Sequence, residues 1–149
     1  MLYLDTSAIV KLYFREKYSK EISRFIKEND ESIPFTYLHE LEFMNALAQK
    51  QFRNEITKTE REQVIKSIHN HEKKGVYYRP LLDWPEIIGF AIALSQRYTH
   101  KIGSRSLDIL HVSVALSIKV DKFMTFDEKQ AALVSQTVLY LVKIDECII

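Results

Sequence analysis

The chain has 149 residues, 46% of them apolar, which suits one compact domain with a buried core and leaves little room for a second. Its 21 basic and 20 acidic residues give a formal charge of +1, which excludes a whole-molecule basic field, so a nucleic-acid partner has to be met by a local patch. The single cysteine, Cys147, excludes an intrachain disulfide and a multi-cysteine zinc site, fits a reducing cytosol, and is expected to be inert.

No apolar stretch approaches the roughly 20 residues that span a bilayer. The start, Met1-Leu2-Tyr3-Leu4-Asp5, has neither a basic leader nor a secretory apolar region, so a soluble cytoplasmic protein is expected. Three glycines, three prolines and no repeat or linker-like stretch predict one domain over residues 1–149, rich in long helices.

In chain order, Leu2 to Leu4 reads as a short strand, and Asp5-Thr6-Ser7 then opens a helix through Ala8, Ile9, Leu12 and Tyr13. A second helix is predicted over Ser19 to Glu28, and a short strand at Ile33-Pro34-Phe35, which Pro34 confines to an edge or a strand start. Helices follow over Tyr37 to Phe52 and over the charged segment Thr57 to Lys74, which Gly75 stops. Val76 to Leu81 reads as a strand. Asp83 then caps a helix running toward Gly103, with Pro85 in its first turn. Leu107 to Val120 is apolar on nearly every side, as a helix packed inside the domain would be. Strands at Lys122 to Thr125 and Val138 to Val142 flank a short helix from Asp127. Strands separated by helices need crossover connections, so the expected fold is a three-layer α/β/α structure around a mostly parallel sheet. In such sheets ligands bind at the carboxyl ends of the strands.

Asp5, Asp108 and Asp127 all fall at that edge. Each taken singly has a simple explanation as a helix cap or as a partner of a helix dipole. Taken together, converging carboxylates repel one another unless protons or a cation compensate them, and oxygen-only ligands suit Mg²⁺ or Mn²⁺.

Four segments carry a family resemblance: Leu4-Asp5-Thr6-Ser7-Ala8-Ile9-Val10-Lys11-Leu12-Tyr13, Glu42-Phe43-Met44-Asn45-Ala46-Leu47, Ser106-Leu107-Asp108-Ile109-Leu110-His111-Val112-Ser113-Val114-Ala115, and Phe123-Met124-Thr125-Phe126-Asp127. In this order they resemble the motifs of PIN-domain ribonucleases, and within that family the VapC toxins of toxin-antitoxin pairs. The resemblance implies that Asp5, Glu42, Asp108 and Asp127 bind Mg²⁺ or Mn²⁺ and carry catalysis, with Thr6 and Ser7 orienting Asp5 or a water. It further implies an endoribonuclease acting on RNA, a cognate antitoxin partner and a homodimer. Other classes remain: a catalytically silent scaffold that binds RNA or protein, and a nuclease of RNA maturation without an antitoxin.

Periodicity does not separate Glu42 from Glu40; the match to Asn45-Ala46-Leu47 selects Glu42 and leaves Glu40 as an exposed, neutral neighbour. His69 and His71 have the wrong spacing for two ligands on one helical face and are expected to be solvated. His111 shares a face with Asp108, yet a core histidine with one satisfied hydrogen bond is the simpler reading. Lys11 and Arg105 lie beside the motifs as candidate phosphate contacts.

Overall fold

A computed structural model of the protein describes residues 1–144; Cys147 lies outside that range. The first strand, β1 (Leu2–Leu4), is the hub of the fold. Its neighbour β4 (Lys122–Met124) runs parallel in the register Leu2↔Lys122, Tyr3↔Phe123 and Leu4↔Met124, and β5 (Tyr140–Leu141) pairs in parallel beyond it. On the other side, β2 (Ile33–Pro34) pairs in parallel with β3 (Tyr77–Tyr78) and packs beside β1. The strands are shorter than Val76 to Leu81 and Val138 to Val142 would have made them.

The alternation of side chains along β1 sets up two cores. Leu2 and Leu4 enter one cluster with Ile9, Ile22, Phe43, Leu47 and Ile68. Those residues come from α1 (Thr6–Tyr13), α2 (Ser19–Asn29), α3 (Tyr37–Phe52) and α4 (Lys58–Lys73). Tyr3 enters the opposite cluster with Ile87, Val112, Phe123 and Leu133. These belong to α5 (Trp84–Leu94), α7 (Ser106–Ser117), α8 (Glu128–Val134) and β4. Two clusters on two faces give the three-layer α/β/α architecture. The helix expected to run from Asp83 to Gly103 passes through a π-helical segment, Ser95–Thr99, into a single turn, α6 (His100–Ile102), and Gly103 ends it in the left-handed conformation with φ +72°. Among the described residues no helix is long and apolar enough to cross a membrane.

The sheet divides between β1 and β2 for a chemical reason. Ile33 and Phe35 donate their amides to Val76, just before β3, and to Tyr78 on it, so the peptide nitrogen of Pro34 between them faces away from β3 and has no hydrogen to give. A side chain fills the gap: His39 Nε2 lies 2.8 Å from the Leu4 carbonyl. Its other nitrogen, Nδ1, accepts from the Thr36 amide at 3.0 Å, closing the capping box of α3. That acceptance leaves the proton on Nε2, which therefore donates to Leu4.

His39 is fully buried, and burial, with contributions from the neighbouring His111 and Arg79, holds its pKa well below the usual histidine value. The unfolded chain takes up a proton near pH 6.5 that the folded chain refuses, so this residue's contribution to stability is present above that pH and lost below it. Chemical denaturation of wild type between pH 8 and 5 should show the loss, at up to about 1.4 kcal/mol per pH unit below the midpoint. His39→Leu should lose about 1–3 kcal/mol at pH 8 for each backbone group it leaves unpaired, and should show a flatter acid limb. An acid limb equally steep in the variant would mean that His39 is not the group refusing the proton.

Candidate active site

Asp5 follows β1 directly, and its amide extends the ladder to the Met124 carbonyl at 3.0 Å, which sets it beside the segment after β4. Its Oδ1 accepts from the Ala8 amide at 2.9 Å, the N-cap bond of α1, and its Oδ2 accepts from Thr125 Oγ1 at 2.7 Å. The Ser7 hydroxyl lies within reach of both oxygens, at 2.8 and 2.9 Å, and itself accepts from the Phe126 amide. Thr125 in turn accepts from the Asp127 amide at 3.0 Å. One threonine thus ties Asp5 to Asp127, and nothing in the sequence pattern singles it out. The Asp5 side chain lies in a residue only 5% exposed. Burial pushes its carboxyl above the usual aspartate range, against the bonds from Thr125, Ala8 and Ser7 and the charge of His111 that pull it down.

Glu42 enters from α3, one helical turn beyond His39. Its Oε2 accepts from Thr6 Oγ1 at 2.8 Å and from His111 Nε2. Thr6 is therefore directed at Glu42 rather than at Asp5, and of these two hydroxyls only that of Ser7 serves the aspartate. Partial burial pushes Glu42 up, but the bonds from His111 and Thr6, with the charge of Arg105, outweigh it and hold the carboxyl below its usual value.

Asp108 lies in the first turn of α7 and is 8% exposed; Asp127 caps α8, its Oδ1 accepting from the Gln130 amide at 2.8 Å. Arg105 joins them. Its Nε is 3.0 Å from Asp108 Oδ2 and its Nη2 is 3.4 Å from Asp127 Oδ2, while its side chain stays 72% exposed. Gln130 closes the same corner by donating to the Asp108 carbonyl at 3.2 Å. The four acids thus share one edge of the sheet: Thr125 ties Asp5 to Asp127, Arg105 ties Asp108 to Asp127, and Glu42 joins them through Thr6, the residue after Asp5, and His111, one turn beyond Asp108.

Several expectations change. Glu40 is half-buried and paired with Arg79 at 2.7 Å, not a free surface group. His69 is exposed, but His71 is not simply solvated, since its Nδ1 is 2.7 Å from the Tyr13 hydroxyl. Lys11 is committed to Glu16 at 3.2 Å and covers the Phe126 ring. His111 is buried as a core histidine would be, but both of its ring nitrogens have partners and one partner is Glu42.

The family model of the PIN domain matches residues 2–134. The chain belongs to the PIN-domain family. This PIN domain is also similar to solved structures. FitAcB from Neisseria gonorrhoeae aligns at 10% identity and TM-score 0.64, covering 97% of this chain and 98% of that one. VapBC-1 from nontypeable Haemophilus influenzae aligns at 19% and 0.64, covering 97% and 99%. VapBC2 from Rickettsia felis, bound to a DNA fragment from their promoter, aligns at 14% and 0.63, covering 96% and 100%. At these identities the likeness concerns the fold. No curated protein matches the chain.

PIN nucleases generally use divalent metal ions. Among the described residues no three His, Cys, Asp or Glu side chains are arranged to hold a metal as they stand. The donor set of this PIN domain nevertheless fits a hard cation: its acids offer oxygen only, and a guanidinium already occupies two of them. An exposed arginine is a replaceable occupant.

The raised pKa of Asp5 carries a sign that can be checked. Between the unfolded value of 3.8 and the higher folded value, the folded chain holds more protons, so stability falls as pH rises through that window and stays reduced above it. Asp5→Asn removes that loss, and the hydroxyls of Ser7 and Thr125 can turn to accept from its amide. In EDTA, the variant's melting temperature relative to wild type should improve from pH 3.5 to pH 7 and match or exceed wild type at pH 7. A deficit that grows toward pH 7 would show that the Asp5 charge stabilises the metal-free fold.

Proposed function

We propose that the protein is a metal-dependent endoribonuclease, the toxin half of a toxin-antitoxin pair, acting as a single-domain homodimer. The observation that carries this is the edge-on gathering of Asp5, Glu42, Asp108 and Asp127 in a chain of the PIN-domain family, whose members are generally nucleases. Likeness to VapBC-1 and VapBC2 supports an antitoxin partner. The choice of RNA rests on the motif resemblance.

In this reading the four carboxylates hold Mg²⁺ or Mn²⁺. Such an ion, when bound, lowers the pKa of a water and offsets the charge that builds on the phosphorane-like transition state. The residues of the chain supply the rest. Asp5 is fixed by three donors, so it offers its charge without side-chain reorganisation. Glu42 is gripped on one oxygen by Thr6 and His111. Arg105, freed from Asp108 and Asp127, is long and exposed enough to meet a phosphate, which makes it the basic residue of choice over the already paired Lys11. The Ser7 hydroxyl donates to the Asp5 carboxylate and accepts from the Phe126 amide, so in this reading it orients Asp5, a proposed metal ligand, and is not the nucleophile.

A catalytically silent scaffold draws on one observation, that Arg105 already neutralises part of the cluster. The experiment separates the two. Purified protein is incubated with RNA in Mg²⁺ or Mn²⁺, in EDTA, and after the metal is restored. Cleavage that is lost and regained supports the nuclease; undiminished cleavage in excess chelator rules out the metal mechanism, and RNA binding without cleavage in any metal supports the scaffold. Glu42→Gln should reduce the metal-dependent rate by orders of magnitude. Glu40→Gln, which only weakens a partly exposed pair with Arg79, should cost about 0–1 kcal/mol of stability and keep the rate. Loss of activity in the Glu40 variant alone would move the site to the other register of α3.

A further inference from the structure

The His111 ring has more structure around it than a core histidine needs. It lies in α7, one turn beyond Asp108, and only 2% of it is exposed. Its Nδ1 is 2.8 Å from the hydroxyl of Tyr3, which is fully buried on β1. Its Nε2 meets Glu42 Oε2, the same oxygen that accepts from Thr6. Two rings pack against it, and a third backs one of them. His39 lies 4.8 Å away and Tyr3 5.8 Å away between centroids, and Phe123 stacks on Tyr3 at 5.1 Å.

The chemistry of the partners orders the protons. A carboxylate only accepts, so His111 Nε2 must donate to Glu42, and the Tyr3 hydroxyl, which can either donate or accept, holds the ring at Nδ1. The chain Tyr3 to His111 to Glu42 therefore runs from the centre of the sheet to the edge that carries the acids. We propose that His111, oriented by Tyr3, is a positioning residue that holds Glu42 by Oε2 and so fixes the direction in which its other oxygen meets a divalent cation. This rests on the reading of Glu42 as a metal ligand. It also explains an otherwise costly feature: a tyrosine hydroxyl in the innermost strand, where phenylalanine would pack as well without a buried polar group to satisfy.

The test is a double-mutant cycle read by Mn²⁺ affinity, using calorimetry on the full chain, with circular dichroism to check folding. Tyr3→Phe keeps the ring and its stacking and removes only the hydroxyl. It should weaken Mn²⁺ binding by about 10-fold or more, within the range found when a partner behind a metal ligand is removed. Glu42→Gln should weaken it as well, and adding Tyr3→Phe to Glu42→Gln should change nothing further, because the phenol acts only through the carboxylate. Should Tyr3→Phe melt below the assay temperature, His111→Gln, which keeps a donor toward Glu42, and His111→Asn, which is too short to reach it, carry the same comparison: Gln should bind Mn²⁺ more tightly than Asn. Unchanged affinity in Tyr3→Phe, or an equal loss in both the wild-type and Glu42→Gln backgrounds, overturns the positioning role alone. Wild-type affinity in Glu42→Gln overturns the ligand reading and the positioning role together.

Discussion

The hydrogen bond from His39 to the Leu4 carbonyl is the contact on which the geometry of the site depends. Leu4 is the last residue of β1, so its carbonyl sits one residue before Asp5. The strand on that side cannot complete the ladder, because Pro34, its last residue, has no amide hydrogen to give. A helix does so instead, through an imidazole whose two nitrogens are both satisfied inside the protein. Since Glu42 lies three residues after His39 on α3, the bond that repairs the sheet also sets the distance between the segments carrying Asp5 and Glu42. Thr6, the next residue after Asp5, can then reach Glu42 at 2.8 Å.

Capping and chemistry are not competing accounts of the aspartates. Asp5 and Asp127 each use Oδ1 to cap a helix and turn Oδ2 toward the cluster, to Thr125 and to Arg105 respectively. Asp108 lies in the first turn of α7, where Arg105 binds it. The amino ends of α1, α7 and α8 thus converge on one edge, and each presents partial positive charge there. That field makes a cluster of carboxylates tolerable before any cation arrives. Parallel topology is what points all three helix starts the same way.

Much of this was legible from local pattern. The strand-then-Asp5 start, the buried helix after Asp108 and the capping position of Asp127 follow from spacings of a few residues, and their convergence follows from the parallel-sheet rule. Pairings between distant residues left no such trace. Glu40 and Arg79 are 39 residues apart, Tyr13 and His71 are 58 apart, and Tyr3 and His111 are 108 apart; no periodicity links them. Thr125 stood inside a recognised motif without a role, because only the fold reveals that one hydroxyl serves both Asp5 and the Asp127 amide. Local pattern also overextends strand ends where proline and the absence of a neighbour stop the ladder, as between Val76 and Leu81, where only Tyr77–Tyr78 pair.

Charge sets an order of events on the proposed reading. Four carboxylates against one guanidinium leave the edge negative, and an RNA phosphate approaching it would be repelled over a range of about 8–10 Å at moderate ionic strength. A divalent cation entering first removes that barrier and competes with Arg105 for Asp108 and Asp127. The guanidinium it displaces stays tethered by the short chain between α6 and α7, so it remains beside the site as a free positive charge. The same arginine that makes the metal-free cluster tolerable becomes available to the phosphate at the moment the cation replaces it. Metal binding and substrate binding are then coupled through one side chain, without any movement of the backbone.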